Sequence, residues 1–489
     1  MTLGRTCRYL LSAALIAVTV SGSDLTAATA PAPTSISAKD KAEGAKANPQ
    51  LVAEYGGALT GPQADYVASI GKKIAVQSGL SNSSSDFNVT LLDSSINNAF
   101  AIPGGYIYTT RQLVALMNNE AELGGVLGHE TAHVALRHSA QRQSTATKNQ
   151  IGGVLLAVLS GVVLGGSSKV GQQLQSIFLQ GSQLLTLKFS RKQESEADSY
   201  GVQYLRKAGY DPRAMSTVLQ SLANQNALDA KLLGTSDQVP EWASTHPDPA
   251  SRVRTAANLA GTATGITNRD IFLTRISGLT YGDSPAQGYA EGRSFKHPIE
   301  KIAFEAPAGF YLVNGTQAVA IGGTSGKGQF ITSAFDGNLD SYVTTQFATL
   351  AQANQTQLNP SAIQHTTVNG IPAAYASARV ANGSSQVDVT VFAYQWSATQ
   401  AYHFLTITQA GQNPFDSMFA SMRRLTQAEA AVLKPRKLVV VSVKNGDTLQ
   451  SLASRMAYTD APLDRLLVLN GLTSTSKLVT RQKIKLVTY

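Results

Sequence analysis

Glu120-Ala121-Glu122-Leu123-Gly124-Gly125-Val126-Leu127-Gly128-His129-Glu130-Thr131-Ala132-His133-Val134-Ala135-Leu136-Arg137-His138 places two histidines four residues apart, with a glutamate beside the first. Residues i and i+4 stack on one face of a helix, so His129 and His133 point the same way. Two imidazoles at that spacing can grip one zinc ion, and Glu130 can then reach the water such an ion activates. Read alone, the pentad equally suits a surface helix with two solvated histidines. Its neighbours argue for a buried helix: Leu123, Val126, Leu127, Ala132, Val134 and Ala135 are apolar or small. Polar residues inside such a helix need partners, because unpaired buried polar groups are costly.

A catalytic zinc ion takes three protein ligands and keeps one position open. A third histidine at the spacing H-E-x-x-H-x-x-G-x-x-H is missing, since Leu136 stands at the glycine and Ser139 at the histidine. His138 lies nine residues after His129, which on a continuous helix is the opposite face, so a solvated or structural role is expected for it. A glutamate from a later helix is the other solution. Ser190-Arg191-Lys192-Gln193-Glu194-Ser195-Glu196-Ala197-Asp198-Ser199-Tyr200-Gly201 offers Glu194 and Asp198 on one face. Glu194 can ligate the metal while Asp198 supports a histidine from behind. Glu196 is expected to face elsewhere. A charged helix of solvated residues would carry the same letters.

These residues, taken with others in order along the chain, resemble peptidase family M48, the zinc metallopeptidases that include the HtpX heat-shock proteases and the CaaX prenyl proteases. The matching residues are Asn98-Ala99-Phe100-Ala101-Ile102-Pro103-Gly104-Gly105-Tyr106-Ile107-Tyr108, Asn119 to Leu123, His129 to His133, Ser190 to Glu194 with Ala197-Asp198 and Gly201, and Thr245-His246-Pro247 with Arg252. The resemblance covers roughly Ala47 to Ala260. It implies a mainly helical, gluzincin-type domain with a small sheet, one zinc ion per chain on His129, His133 and Glu194, and Glu130 as the catalytic base. It also implies peptide hydrolysis, in which Glu130 moves a proton from water to the leaving amine, and His246 or Arg252 steadies the developing oxyanion. His246 is expected on a loop, since Pro247 disfavours helix there; it could instead fill the open metal position in a resting state. Arg252 and Asp198 are expected behind the ligands. In this family the strand around Ala101, Ile102, Gly104, Gly105 and Tyr106 borders the cleft, where an extended substrate would add a strand. The likeness is to the soluble periplasmic branch, since the long membrane helices of other members are missing.

The N-terminal 30 residues read as a secretory signal: Arg5 and Arg8 precede an apolar run from Leu10 to Val20, followed by small residues. An uncleaved anchor is the alternative, for which the run is short. The single cysteine, Cys7, would leave with that segment, which suits an oxidising compartment without reliance on disulfides. The expected location is the periplasm of a Gram-negative bacterium. Residues 31–46 read as a polar spacer, Asn48–Leu59 and Pro62–Ser78 as helices, and Phe87–Leu92 as a strand. Ile151–Gly166 is almost continuously apolar but short for a membrane span, and reads as a covering helix or as a lid over the cleft.

The 489 residues allow three or so domains, and 43% hydrophobic with 15% charged residues is a globular balance. The metallopeptidase domain is expected over 47–262. Gly261 to Asn268 reads as a linker, and 270–430 as an accessory α/β sandwich loosely similar to PsbP. Expected strands there are Ile302–Glu305, Ala318–Gly322, Ala373–Arg379, Gln386–Tyr394 and Ala401–Thr408, with helices at Asn338–Ala353 and Pro414–Met422. No 34-residue helical repeat is present. Residues 434–489 resemble a LysM domain, a βααβ module that binds N-acetylglucosamine polymers, although Arg481 replaces a usual glycine. The whole is an α+β multidomain chain.

The net charge of +9 is concentrated at the C-terminus, where residues 434–489 carry ten basic residues against three acids. That suits an anionic wall or membrane surface. Nucleic acid is not expected in a secreted chain with few aromatics near these charges. The expected partners are protein or peptide substrates, with peptidoglycan through the C-terminal domain and contact with a membrane surface. The expected function is periplasmic protein quality control. The competing readings are a self-inhibited or non-catalytic wall-binding adaptor or chaperone, and a zinc peptidoglycan hydrolase.

Overall fold

The computed structural model describes residues 35–138, 189–233, 246, 249–353, 357–382 and 385–489. The chain divides into two units, Met1–Pro31 and Ala32–Tyr489, and every described residue lies in the second. The expected signal segment and the apolar run 151–166 lie outside the described residues. No helix among the described residues is long and apolar enough to cross a membrane.

Helix formation begins earlier than expected. Ser37 caps helix α1 (Ala38–Glu54) by accepting from the Asp40 N–H, so the expected spacer is helical from Ala38. Helix α2 (Pro62–Ala75) follows, then strands β1 (Asn88–Leu92), β2 (Ala99–Ile102) and β3 (Tyr106–Thr110). They form a three-stranded sheet in the order β1-β3-β2, with β1 parallel and β2 antiparallel to β3. One face of the sheet packs Phe100 and Tyr108 against Leu51 and Tyr55 near the end of α1. The other face places Ala99 and Ile107 in the main core. This alternation is the period of two that the strand letters show.

Helix α3 (Arg111–Leu116) leads into α4 (Glu120–Ala135), which holds the histidine pair. Asn119 starts α4 by accepting from the Glu122 N–H. Every residue of α4 except Val134 is buried, as a helix apolar on nearly all sides should be. Helix α5 (Arg191–Lys207) opens on a capping box between Ser190 and Gln193. It crosses α4 where two glycines meet: a Cβ on Gly201 would lie 3.3 Å from the His129 backbone nitrogen, and one on Gly128 would lie 3.5 Å from the Gly201 Cα. That close approach lets side chains on the two helices reach one another. Helices α6 (Ala214–Leu233) and α7 (Pro249–Ala260) complete the layer. Helix α8 (Arg269–Ile276) buries Phe272, Leu273 and Ile276 in the same core, so the linker is followed by a helix of this domain and not by the accessory region.

The sheet-rich region carries β5 (Tyr289–Glu291), β6 (Ser294–His297), β7 (Ile302–Glu305), β8 (Phe310–Asn314), β9 (Val319–Gly323), β10 (Gly326–Ser333), helix α9 (Leu339–Ala353), β11 (Gln364–Val368), β12 (Ile371–Asn382), β13 (Ser385–Gln395), β14 (Ala401–Gln409), helix α10 (Asp416–Ser421) and β15 (Arg423–Arg424). Seven strands form one antiparallel sheet in the order β11-β12-β13-β14-β10-β9-β8, and four form a second, β15-β7-β6-β5. Strand β13 shows why the layers stack: Val387, Val389, Val391 and Ala393 face α9, while Phe392 and Tyr394 join an aromatic core with Phe295 and Phe304 of the second sheet. All five expected strands and both expected helices are present, with ends moved by up to three residues.

After helix α11 (Gln427–Val432), the last 54 residues run β16 (Arg436–Ser442), α12 (Leu449–Ala453), α13 (Pro462–Asn470), β17 (Lys483–Thr488). Strand β4 (Thr280–Tyr281), from the segment after α8, adds to β16 and makes the sheet β17-β16-β4. Leu438, Leu452, Leu466 and Leu486 of this unit belong to the same core as Ile74 and Leu127 of the helical domain.

Candidate metal centre

His129, His133, Glu194 and His246 each offer one ligand atom, and these four atoms all lie within 4.8 Å of one another. All four residues are buried. Helix α4 supplies the pair at i and i+4. Helix α5 supplies Glu194 from its first turn, where the free N–H groups favour a carboxylate. The His129 Nε2 atom is 3.0 Å from His133 Nε2, 3.3 Å from His246 Nδ1 and 3.6 Å from Glu194 Oε2. The Glu194 Oε1 atom is 3.5 Å from His133 Nε2 and 3.0 Å from His246 Nδ1.

The outer nitrogens decide how the inner ones are protonated. His129 Nδ1 lies 3.0 Å from Asp198 Oδ1 and donates to it. His133 Nδ1 lies 2.9 Å from His138 Nδ1. The His129 Nε2 atom therefore turns a lone pair toward the centre, beside the Glu194 carboxylate. A lone pair and a carboxylate oxygen 3.6 Å apart repel unless a cation lies between them. Four donors on a tetrahedron about 2.0–2.1 Å from zinc would stand about 3.3 Å apart, within the 3.0–3.6 Å range of the distances given above. The residues fit the metal.

Arg252 holds the carboxylates from behind. Its Nη1 donates to Glu194 Oε2 at 2.5 Å, and its Nε and Nη2 donate to Asp198 at 2.8 and 2.6 Å. Burial works against the Asp198 carboxylate, but Arg252 and His129 bring it down to about 2. Burial likewise opposes the charge on Glu194, and His246, His129 and Arg252 hold it below the usual carboxylate range. Burial pushes His246 down to about 4 despite its contact with Glu194. Its Nε2 stands 3.5 Å from Glu130 Oε1, so one ring touches both the ligand set and the expected base. Three of the Arg252 nitrogens are thus engaged by two buried carboxylates.

The residues expected to bind substrate are split. Ala101 packs on the core that holds α4, and Ile102 and Tyr106 face α1. Strand β2 is an edge strand of its sheet. Gly104 and Gly105 form the buried β2–β3 turn at φ +95° and +85°; a Cβ there would strike the Asp40 and Asp86 carbonyl oxygens at 2.6 and 2.4 Å. They fix a turn and do not offer an edge.

Three residues at the site are not evident from the letters. Phe189 stacks on His133, with ring centroids 3.6 Å apart. His138 is buried and not solvated, and Glu196 meets it at 3.3 Å instead of facing away. The signal for His138 was its place just beyond the helix, where a turn could bring it back.

Residues 62–260 match peptidase family M48, and residues 441–487 match the LysM domain. The chain is 33% identical over 200 residues to the beta-barrel assembly-enhancing protease of Yersinia pestis, covering 40% of this chain and 38% of that protein. It is 30% identical over 208 residues to the mitochondrial metalloendopeptidase OMA1 of Schizosaccharomyces pombe, covering 42% of this chain and 56% of that one. The matched part is thus less than two thirds of either relative. A solution structure of cyanobacterial PsbP from Synechocystis aligns at TM-score 0.22 and 14% identity, over 29% of this chain and 98% of that chain, a likeness that carries no argument about the accessory region.

Proposed function

We propose, proceeding from a chain that carries a peptidase family M48 domain and a LysM domain, that this protein is a zinc-dependent endopeptidase of the bacterial periplasm acting on misfolded or misassembled envelope proteins. The observation that carries the reading is the convergence of His129, His133 and Glu194 with Glu130 beside them. The gluzincin arrangement, two histidines of one helix and a glutamate of the next, is supported by the α4–α5 crossing.

A zinc ion held by these three residues would polarise the scissile carbonyl and lower the pKa of water. Glu130 takes the proton of the attacking water and delivers it to the leaving amine. Asp198 keeps His129 in the tautomer that presents Nε2, and Arg252 keeps Glu194 ionised and fixed. The Ala101–Ile102 segment of edge strand β2 is the place for an extended substrate to add a strand. The basic LysM domain supports attachment to peptidoglycan or an anionic membrane surface.

One observation favours a second reading of the same site, a resting and self-inhibited enzyme. His246 Nδ1 occupies the fourth donor place, which a working site leaves to water or substrate. The test is zinc content together with casein cleavage. The purified protein should hold one zinc per chain. Glu130→Gln should keep it and cleave at least about 100-fold more slowly. His246→Ala should cleave faster than wild type if the histidine blocks the site, and more slowly if it steadies the oxyanion. A wild type without zinc, or full activity in Glu130→Gln, overturns the peptidase reading.

A further inference from the structure

We propose that His138 and Glu196 form a positioning relay that fixes the ring and tautomer of His133 for metal binding. The proposal rests on the zinc peptidase reading and adds two residues to it.

Helix α4 stops at Ala135, and Arg137 adopts φ 54°, the left-handed region that side chains other than glycine seldom enter. That one residue turns the chain back on itself. It returns His138 to the helix end with 1% of its surface exposed. His138 Nδ1 then lies 2.9 Å from His133 Nδ1, and His138 Nε2 lies 3.3 Å from Glu196 Oε2.

One proton arrangement satisfies every atom in this row. The Glu196 carboxylate accepts from His138 Nε2–H. The His138 Nδ1 atom is then an acceptor and takes the His133 Nδ1–H. The His133 Nε2 lone pair is left for the centre, where the atom stands 3.5 Å from Glu194 Oε1. Helix α5 thus answers both histidines of α4. Asp198 reaches His129 directly at 3.0 Å, and Glu196, two residues from Glu194, reaches His133 through His138. Outer partners of this kind set ligand orientation and basicity. Phe189, stacked on His133 at 3.6 Å, holds the same ring from another side.

The test is zinc affinity by chelator competition, with melting of the metal-free proteins as the companion measurement. His138→Phe, which fills the space without an acceptor, and Glu196→Met, which keeps the chain length without an oxygen to accept from His138, should weaken zinc by about 10- to 100-fold. His138→Gln, whose amide oxygen can accept from His133, should recover most of the loss seen at 138, and Glu196→Gln, which keeps an acceptor, most of the loss seen at 196. The metal-free melting temperature of Glu196→Met should match wild type, which separates positioning from folding. If His138→Phe does not fold, Glu196→Met carries the test, because the side chain at 196 is partly exposed. Zinc bound as tightly in Glu196→Met and His138→Phe as in wild type overturns the relay alone. A wild type that binds no zinc overturns the peptidase reading and the relay with it.

Discussion

Arg252 stands between two buried carboxylates and is itself buried, so its charge is the counterweight that lets Glu194 and Asp198 stay ionised. Removing one member of such a group leaves the others uncompensated. Arg252→Ala should therefore destabilise the helical domain by about 3 to 5 kcal/mol and weaken its metal. Arg252→Lys should recover only part, because an ammonium cannot span Asp198 with two parallel donors and reach Glu194 as well. Thermal melting and zinc content of the two variants check this. His129, His133, Glu194 and Asp198 were legible in the letters because i and i+4 is a rule of local geometry. His138 and Glu196 were not, since that rule assumes the helix continues, and it ends at Ala135.

Strand β14 shows what an element adds to a residue. Alternation turns His403 toward α9, where it is buried and meets the Tyr342 hydroxyl at 2.9 Å. Burial pushes its pKa from 6.5 to about 4. The unfolded chain therefore binds more protons than the folded one between about pH 4 and 6.5. Stability is present in full above that window and is lost as the pH falls through it, by about 3 kcal/mol at most for this one group. Hydrogen exchange of the β13 and β14 amides should quicken from pH 7 to pH 4.5 beyond its intrinsic change, and less so in His403→Gln. Strands with two-residue alternation, such as β13, were legible in the order of their letters. Strands β10 and β11 were not, because glycines and exposed polar residues interrupt their pattern.

At the scale of the molecule, Lys485 joins the C-terminal unit to helix α3 of the helical domain. It is fully buried, and its Nζ donates to the carbonyls of Ala115, Leu116 and Met117 at 2.8, 3.0 and 2.7 Å. These are carbonyls at the end of α3, which otherwise lack helical partners. Burial lowers the pKa of Lys485 against the attraction of Glu122, and raises that of Glu122, which accepts from the Asn118 N–H and the Thr217 hydroxyl. Lys485→Met should cost about 3 kcal/mol or more, since it strips a charged donor from buried acceptors. Limited proteolysis should then release residues 436–489 sooner than in wild type, and melting should occur at a lower temperature. Unchanged proteolysis would mean that β4 and the shared apolar core hold the unit without the lysine.

Helix periodicity, the strand alternation and the chemistry of two histidines, a base and a later glutamate were determined by the sequence itself. Each depends on residues within a turn or two of one another, or on side chains that bind one kind of ion. The tertiary structure alone decided that His138 returns to His133 and that Lys485 enters the helical core. These depend on contacts between distant residues; Lys485 and Ala115 are 370 positions apart. Nothing in the local letters says which buried acceptor a lone lysine will meet, because that is settled by how the layers pack.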